Sequence, residues 1–472
     1  MSHEIHADYS QSFLFPPCIE DWVPADHPAR FIREFVESLN LQALGFSERK
    51  SEEGRPPYAH DLLLKIWLYG YLGRMRATRQ LEKACREHLS LLWLTGLKAP
   101  DHNSLWRFWR DNRKALRAVF RRAVKRAAEL GRVGMVCQAV DGTKIAAVAS
   151  RRTVEHRKDL EKRLARVEAG LAEMEAAVEA AEASEQGEYR LPENWQVATK
   201  LRAAIQASLK KMDDAERDHL HPQEPEARLM PCAGRQDPAY NAQAVADDQA
   251  GIIVAQTAVN VESDIAQWVP LLEEVQANLG QVAQETLGDG GYAAAEQLGK
   301  AAEKGYEVLT APGGEKGGVK RGEYASENFR YEAAADAVIG PQNQRLGFVG
   351  MRKKSGQQAA VRSYRCQHFA QCAVREWCSR SREGRRIEIS PQRAAVERQQ
   401  EKRRDPAQQA LLRRRKVIIE PVFAIIKQIM GFRRWTVRGL ENVRTQWALM
   451  CTAFNLKKIY RRWAAAHAPA PA

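Results

Sequence analysis

Two short apolar runs, each carrying an acidic residue beside glycine, constrain the fold of this chain more than any other feature. Gly134 to Val140 is apolar nearly throughout and leads into Asp141-Gly142-Thr143-Lys144, and Glu285-Thr286-Leu287-Gly288 leads into Asp289-Gly290-Gly291-Tyr292. Short continuous apolar runs of this kind predict buried strands, so each is expected to end in a carboxylate at the edge of a sheet. Tyr240 to Val245 and Gly251 to Val259 predict two more strands, joined by a turn at Asp247-Asp248-Gln249. Helical spacing over Asp264 to Leu279, a helix over Ala293 to Lys304 and a strand over Tyr306 to Thr310 complete an α/β succession. Gly142, Gly290 and Gly291 would let the backbone turn sharply beside the carboxylates.

On either side the pattern is helical. From Pro28 to Leu130 apolar residues recur at helical spacing, as in Phe31, Phe35, Leu39 and in Leu105, Phe108, Trp109, and predict a helical region over residues 1–132. Its last part, Arg107 to Arg132, is rich in Arg and Lys; one face can grip phosphates, or it is a solvated helix face. The first part of the core is assigned to residues 133–150. Leu160, Leu164, Val167, Leu171, Met174 and Val178 then step by four and three, a break follows around Gly187 and Pro192, and a second series runs through Val197, Leu201, Ile205, Leu209 and Met212. An antiparallel helical hairpin inserted over 151–220 is the economical expectation, with its seam alternatively an oligomer contact. The core resumes over 221–312. Residues 313–405 are Gly-, Arg- and Ser-rich with weak periodicity and are expected to be an insertion and linker. Basic helices over 406–463 complete the core, and the Ala- and Pro-rich tail at 464–472 is expected to be disordered.

Charge points to a polyanionic partner. The 472 residues include 73 Lys and Arg against 59 Asp and Glu, a formal charge of +14, which favours nucleic acid through counterion release. The distribution sharpens this: Leu411 to Arg462 holds 13 basic residues and two acidic ones, Glu420 and Glu441. The cysteines at 18, 85, 137, 232 and 451 are scattered, and without a secretory signal no disulfide framework is expected, which fits a reducing cytoplasm. The longest apolar run, Leu62 to Leu72, is short for a bilayer and interrupted by Lys65, so no membrane role is indicated. Cys366-x-His368-x3-Cys372-x5-Cys378 offers four ligands for a structural Zn2+ site, although it lacks a Cys-x2-Cys pair and suits a reduced loop equally well.

DNA strand cleavage and transfer require an activated nucleophilic oxygen and a stabilised leaving oxygen, a task for two hard cations held by convergent carboxylates. Asp141 and Asp289 supply two. Glu420, in Val417-Ile418-Ile419-Glu420-Pro421-Val422-Phe423, can be aimed at the same edge from a helix.

With these pieces in place, the chain resembles the DDE transposases of bacterial insertion sequences. The resemblance rests on Val140-Asp141-Gly142-Thr143-Lys144, on Leu287-Gly288-Asp289-Gly290-Gly291-Tyr292, and on Glu420-Pro421-Val422-Phe423 followed by Lys427, Gly431-Phe432-Arg433-Arg434 and Arg438-Gly439. Asp26-His27-Pro28, Gly54-Arg55-Pro56-Pro57-Tyr58, Leu68-Tyr69-Gly70-Tyr71 and Pro100-Asp101-His102 resemble the N-terminal domain of such enzymes. The Tyr240-Asn241-Ala242-Gln243 and Ser263-Asp264 pieces agree as well.

The resemblance implies an RNase H-like α/β core, a mixed sheet flanked by helices, behind a helical N-terminal domain for DNA binding and assembly. It implies Asp141, Asp289 and Glu420 as catalytic metal ligands, with two Mg2+ or Mn2+ ions as cofactors. Lys427 would neutralise a phosphate near the cut, and Arg434 and Arg438 would bind the DNA end. Where the family shows Tyr and Arg upstream of the glutamate, this sequence has Arg413 and Lys416, which keeps charge at Lys416 without the bidentate geometry of arginine. The implied partners are double-stranded DNA, as terminal inverted repeats and target, and further copies of the chain, at least a dimer on paired ends. The implied setting is the bacterial cytoplasm, at the nucleoid when bound to DNA. Two other readings stay open: a DNA-binding descendant no longer catalytic, against which the three retained carboxylates argue, and an RNase H-like nuclease that does not join strands.

Overall fold

A computed structural model describes residues 18–46, 56–183, 194–232, 234–312, 322–353, 360–379 and 381–468. Gly54, Arg55, Gly187, Pro192 and the end of the tail lie outside these residues, and so do the expectations placed on them.

Among the described residues everything before the first strand is helical: α1 (Pro28–Glu37), α2 (His60–Leu72), α3 (Thr78–Glu87), α4 (Leu89–Leu94), α5 (His102–Asp111) and α6 (Arg113–Glu129). Local signals set the starts. Pro28 opens α1 behind the His27 ring, which accepts the Ala29 N–H at 3.1 Å, and the Asp101 carboxylate caps α5 by accepting the Ser104 N–H at 2.7 Å.

The core sheet begins with β1 (Cys137–Ala146), and a two-stranded ribbon of β2 (Glu155–His156) and β3 (His219–Leu220) brackets the helical hairpin of α7 (Arg157–Ala183) and α8 (Asn194–Asp214). Leu160, Ile205, Met212 and Leu220 form the hairpin's own small core, with Leu164, Val167 and Leu209 against it. The seam is thus used within one chain, and Val197 and Leu201, near the start of α8, stay exposed. The sheet continues with β4 (Arg228–Cys232), β5 (Arg235–Asp247), β6 (Ile253–Val259), helix α9 (Trp268–Leu279), β7 (Glu285–Gly288), helix α10 (Ala295–Glu303) and β8 (Val308–Thr310). Its order is β6-β5-β1-β7-β8, with β4 also pairing with β5; β5 is antiparallel to β1 and β6, whereas β7 and β8 run parallel to β1.

Residues 313–405, expected to be an insertion and linker, hold more regular structure among the described residues than their weak periodicity suggests. The insertion is a separate antiparallel sheet of β9 (Arg330–Glu332), β10 (Ala337–Ile339), β11 (Arg345–Arg352), β12 (Val361–Cys366) and β13 (Arg386–Ile389), with the short α11 (Arg375–Cys378) between its last strands. Its core is only Val338, Leu346, Tyr364 and Ile387. Strands of three to eight residues with one thin apolar face leave little periodicity to read.

Helices α12 (Arg393–Arg404), α13 (Pro406–Ala424) and α14 (Leu440–His467) close the chain. Helix α14 is buried along much of its length between α6, α2 and β6, with Trp447, Leu449, Met450, Phe454 and Leu456 almost fully enclosed; each large apolar side chain contributes roughly 2 kcal/mol by leaving water. A helix buried on all sides has no single apolar stripe. No described helix is long and apolar enough to cross a membrane.

Candidate active site

The register of β1 and β7 brings the first two carboxylates together. Ala139 pairs with Leu287 in the parallel ladder, and Asp141 and Asp289 each follow two residues later, on the same face and one strand apart. Asp141 is not at the end of its strand as expected. It sits mid-strand, because β1 goes on pairing with β5 as far as Ala146 after its pairing with β7 has stopped. The crevice opened by that parting is where Asp141 and Asp289 lie. Asp289 caps a short 3-10 turn, accepting the Gly291 N–H at 2.8 Å, and Asp141 accepts the Gly142 N–H at 2.8 Å.

Close packing supports the pair from behind. A Cβ on Gly142 would meet the Gln243 side chain at 2.1 Å, and one on Gly288 would meet the Trp268 ring at 2.1 Å. Gly142 therefore serves close approach within a strand and not a turn. Against it lies a polar network that sequence reasoning missed. The Asp264 carboxylate accepts from Lys144 at 3.0 Å, Asn241 at 2.6 Å and Gln243 at 2.5 Å, and the Tyr292 hydroxyl donates to Gln243 Oε1.

Basic groups approach from α13. Arg415 Nη1 donates to Asp141 Oδ2 at 3.0 Å, with the two side chains 13% and 21% exposed. Burial holds the Asp141 carboxyl above its usual range and the Asp289 charge pushes the same way, against the pull of Arg415 and the Gly142 N–H. Arg415 was not expected, yet its position carried a signal: it shares a helical face with buried Ile419, Val422 and Ile426. Lys427 lies in a π-helical turn over Ile425–Ile429 and donates to Thr143 Oγ1, two residues along β1 from Asp141. Burial pulls the Lys427 ammonium below its usual range, while Cys232 and Asp141 act oppositely.

The remaining expected residues separate into groups. Glu420 lies exposed on α13 and makes no hydrogen bond or ion pair among the described residues. It is five residues past Arg415 and so roughly 140° around the helix from the group that touches Asp141. Lys416 is exposed on the same side. Arg434 is committed to the fold, donating to the carbonyls of Ala147 at 3.0 Å and Ala149 at 3.2 Å, whereas Arg438 donates to Val148 O at 3.3 Å and stays half exposed. Trp435 and Trp447 are core residues whose indole N–H groups donate to backbone carbonyls of Ile145 and Gln243.

Among the described residues no three His, Cys, Asp or Glu side chains are gathered to hold a metal ion. Zinc at Cys366, His368, Cys372 and Cys378 finds no support there, and neither does a ready-made cluster of Asp141, Asp289 and Glu420. The three thiols do line one small cavity with Phe329, Leu346 and Arg385, but His368 gives Cys366 its backbone N–H and its ring is not part of that lining. Burial pushes the Cys366 and Cys378 thiols up.

Residues 339–460 match the family described as a transposase DDE domain, and residues 17–111 match the family described as a transposase domain (DUF772). No curated protein matches the chain. A DDE domain defines an enzyme that processes DNA. The two matches together are consistent with an insertion-sequence DDE transposase, a protein of DNA transposition. The DDE match takes in Glu420 and Lys427, and lies beyond Asp141 and Asp289 in sequence.

Proposed function

We propose that this transposase cleaves the ends of its element and transfers them to target DNA at Asp141, Asp289 and Glu420, on a core of the RNase H-like kind. The observation that carries this reading is the parallel register that sets Asp141 and Asp289 each two residues past the paired Ala139 and Leu287, with Arg415 on Asp141 and Lys427 on the neighbouring Thr143. The order β6-β5-β1-β7-β8, with one antiparallel strand between two others and a parallel pair beyond, supports the RNase H-like assignment.

The donor set fits hard divalent cations. Two carboxylates one strand apart repel each other, and burial makes the charge on Asp141 costly, a combination that a bound cation reverses. Mg2+, or Mn2+ on the same oxygens, would be held by Asp141 and Asp289 with Glu420 as the third ligand. Ions held by these residues would supply activation of an attacking oxygen and stabilisation of a leaving one. The chain's own groups do the rest. Arg415 compensates Asp141 through Oδ2 in the DNA-free protein and would compete with a cation for that oxygen. Lys427 sits where it can neutralise a phosphate beside the cut. The Asp264 network fixes Lys144 and Tyr292 behind the reacting edge, and Gly142 leaves room for it.

Glu420, exposed and turned away from Asp141, would join only on a movement of α13. Pro421 removes a hydrogen bond within the helix, and the π-helical turn begins four residues later. The helix is therefore loosely tied at the point where it would need to turn. Substitution tests the assignment: Asp141→Asn, Asp289→Asn and Glu420→Gln should each abolish strand cleavage while duplex binding persists. Normal cleavage by any one of them removes that residue from the site.

A further inference from the structure

A second cluster of basic groups stands away from the carboxylates, on the outer side of β6. Lys114, Arg117 and Arg121 lie on one face of α6 at positions i, i+3 and i+7, and with Arg444 of α14 they line a cleft of about 430 Å³. The cleft is built and not merely charged. Glu441 holds Arg117 at 2.9 Å and Arg444 at 3.1 Å on its two oxygens, so the two guanidinium groups are fixed in place with donors to spare. Arg121 is oriented by Asn278 Oδ1 at 3.0 Å, and Lys114 has no ion-pair partner among the described residues. In the wall, Gln256 is 8% exposed and its Oε1 is buried without a hydrogen-bond partner. That oxygen is an acceptor and takes no part in holding a phosphate; the donors are the four cationic side chains. Glu274, in the same wall, has its carboxyl pushed up to about 7 by burial, which reduces the negative charge that would oppose an anion.

Position ties the cleft to the carboxylates. Asp141 pairs with Ala244, and Ala244 pairs with Gln256, so Gln256 lies two strands across on the same rung, about 10 Å away at the usual strand spacing. We infer that the α6/α14 cleft grips the phosphodiester backbone of duplex DNA next to the segment being cut, through Lys114, Arg117, Arg121 and Arg444. The inference rests on the transposase reading and adds to it a phosphate grip supplied jointly by the N-terminal helices and the C-terminal helix. Its contacts go to phosphates, so they position the duplex without reading its sequence.

The test is the salt dependence of binding of a labelled duplex to the full chain in EDTA. For Lys114→Ala/Arg121→Ala/Arg444→Ala, the slope of log affinity against log salt should fall by about 2.7, or about 0.9 for each phosphate that is no longer neutralised. The weakening should be equal for every duplex sequence. Lys114→Glu, at an exposed and unpaired position, serves as the variant that leaves the fold intact and should lower the slope by about 1. A wild-type slope in both variants overturns the cleft, as does a cleft that binds inorganic phosphate in wild-type protein while both variants bind duplex normally. The transposase reading fails differently: the wild-type chain would bind duplex with the full slope yet show no metal-dependent cleavage.

Discussion

At the residue scale the decisive contact is Arg415 on Asp141. An arginine at 3.0 Å from Oδ2 compensates a carboxylate whose burial works against its charge. Arg415→Gln should lower the stability of the DNA-free protein by about 2 kcal/mol, the usual contribution of a hydrogen bond to a charged group. The same variant should gain more in melting temperature from added Mn2+ than the wild type does, because Asp141 is left uncompensated. A wild-type melting curve and metal response would show that Arg415 does not control Asp141. Glu274 offers a pH test. Its folded pKa, about 7, is raised above the ordinary value of 4.5, so the folded state binds more protons between those values. Its contribution is fully present below pH 4.5 and is lost as pH rises through 7. Glu274→Gln should flatten the fall in stability across that window. An unchanged pH profile would mean that Glu274 is not desolvated.

At the element scale, the sequence made the apolar strands and their acidic residues legible because buried strands announce themselves as short apolar runs. It did not show that β1 runs on past Asp141. The extension comes from pairing with β5, a contact a hundred residues away in the chain and invisible to local pattern. The same limit hid the Asp264 network, whose members come from four separate segments. The resemblance implied Arg434 as a DNA-end residue; the bridge between Ala146 and Arg434 and its bond to Ala147 O also make it a brace for the end of β1, a role that local pattern does not reveal. Within α13, Pro421 and the π-helical turn at Ile425–Ile429 form a weak point beside Glu420. Pro421→Ala restores the missing N–H, so it should raise thermal stability and slow strand cleavage if α13 must yield. Faster or unchanged cleavage would mean that Glu420 reaches the site without such a movement.

At the scale of the whole molecule, helices from the two ends of the chain enclose the sheet. Helix α14 packs between α6 and β6, and Arg76 donates to the Met430 and Gly431 carbonyls, joining the N-terminal helices to the segment that follows α13. A duplex lying across the carboxylates and the α6/α14 cleft would therefore touch the matched residues 339–460 through α13 and α14, together with α6, which follows the matched residues 17–111. The sheet of β9–β13 stands apart with its own small core and its three free thiols. Cys366→Ser/Cys372→Ser/Cys378→Ser should leave melting temperature and its response to chelator unchanged; a chelator-sensitive wild type that loses that sensitivity in the variant would restore zinc to this sheet. The most direct test of the central claim is cleavage of labelled DNA carrying the sequences that flank the chain's own gene, with Mg2+ or EDTA, by wild-type and Asp289→Asn protein. Nicks at the element ends with joined products, present only with Mg2+ and absent in the variant, are predicted. The same nicks from Asp289→Asn, or none from wild-type protein that binds the ends, would contradict the assignment.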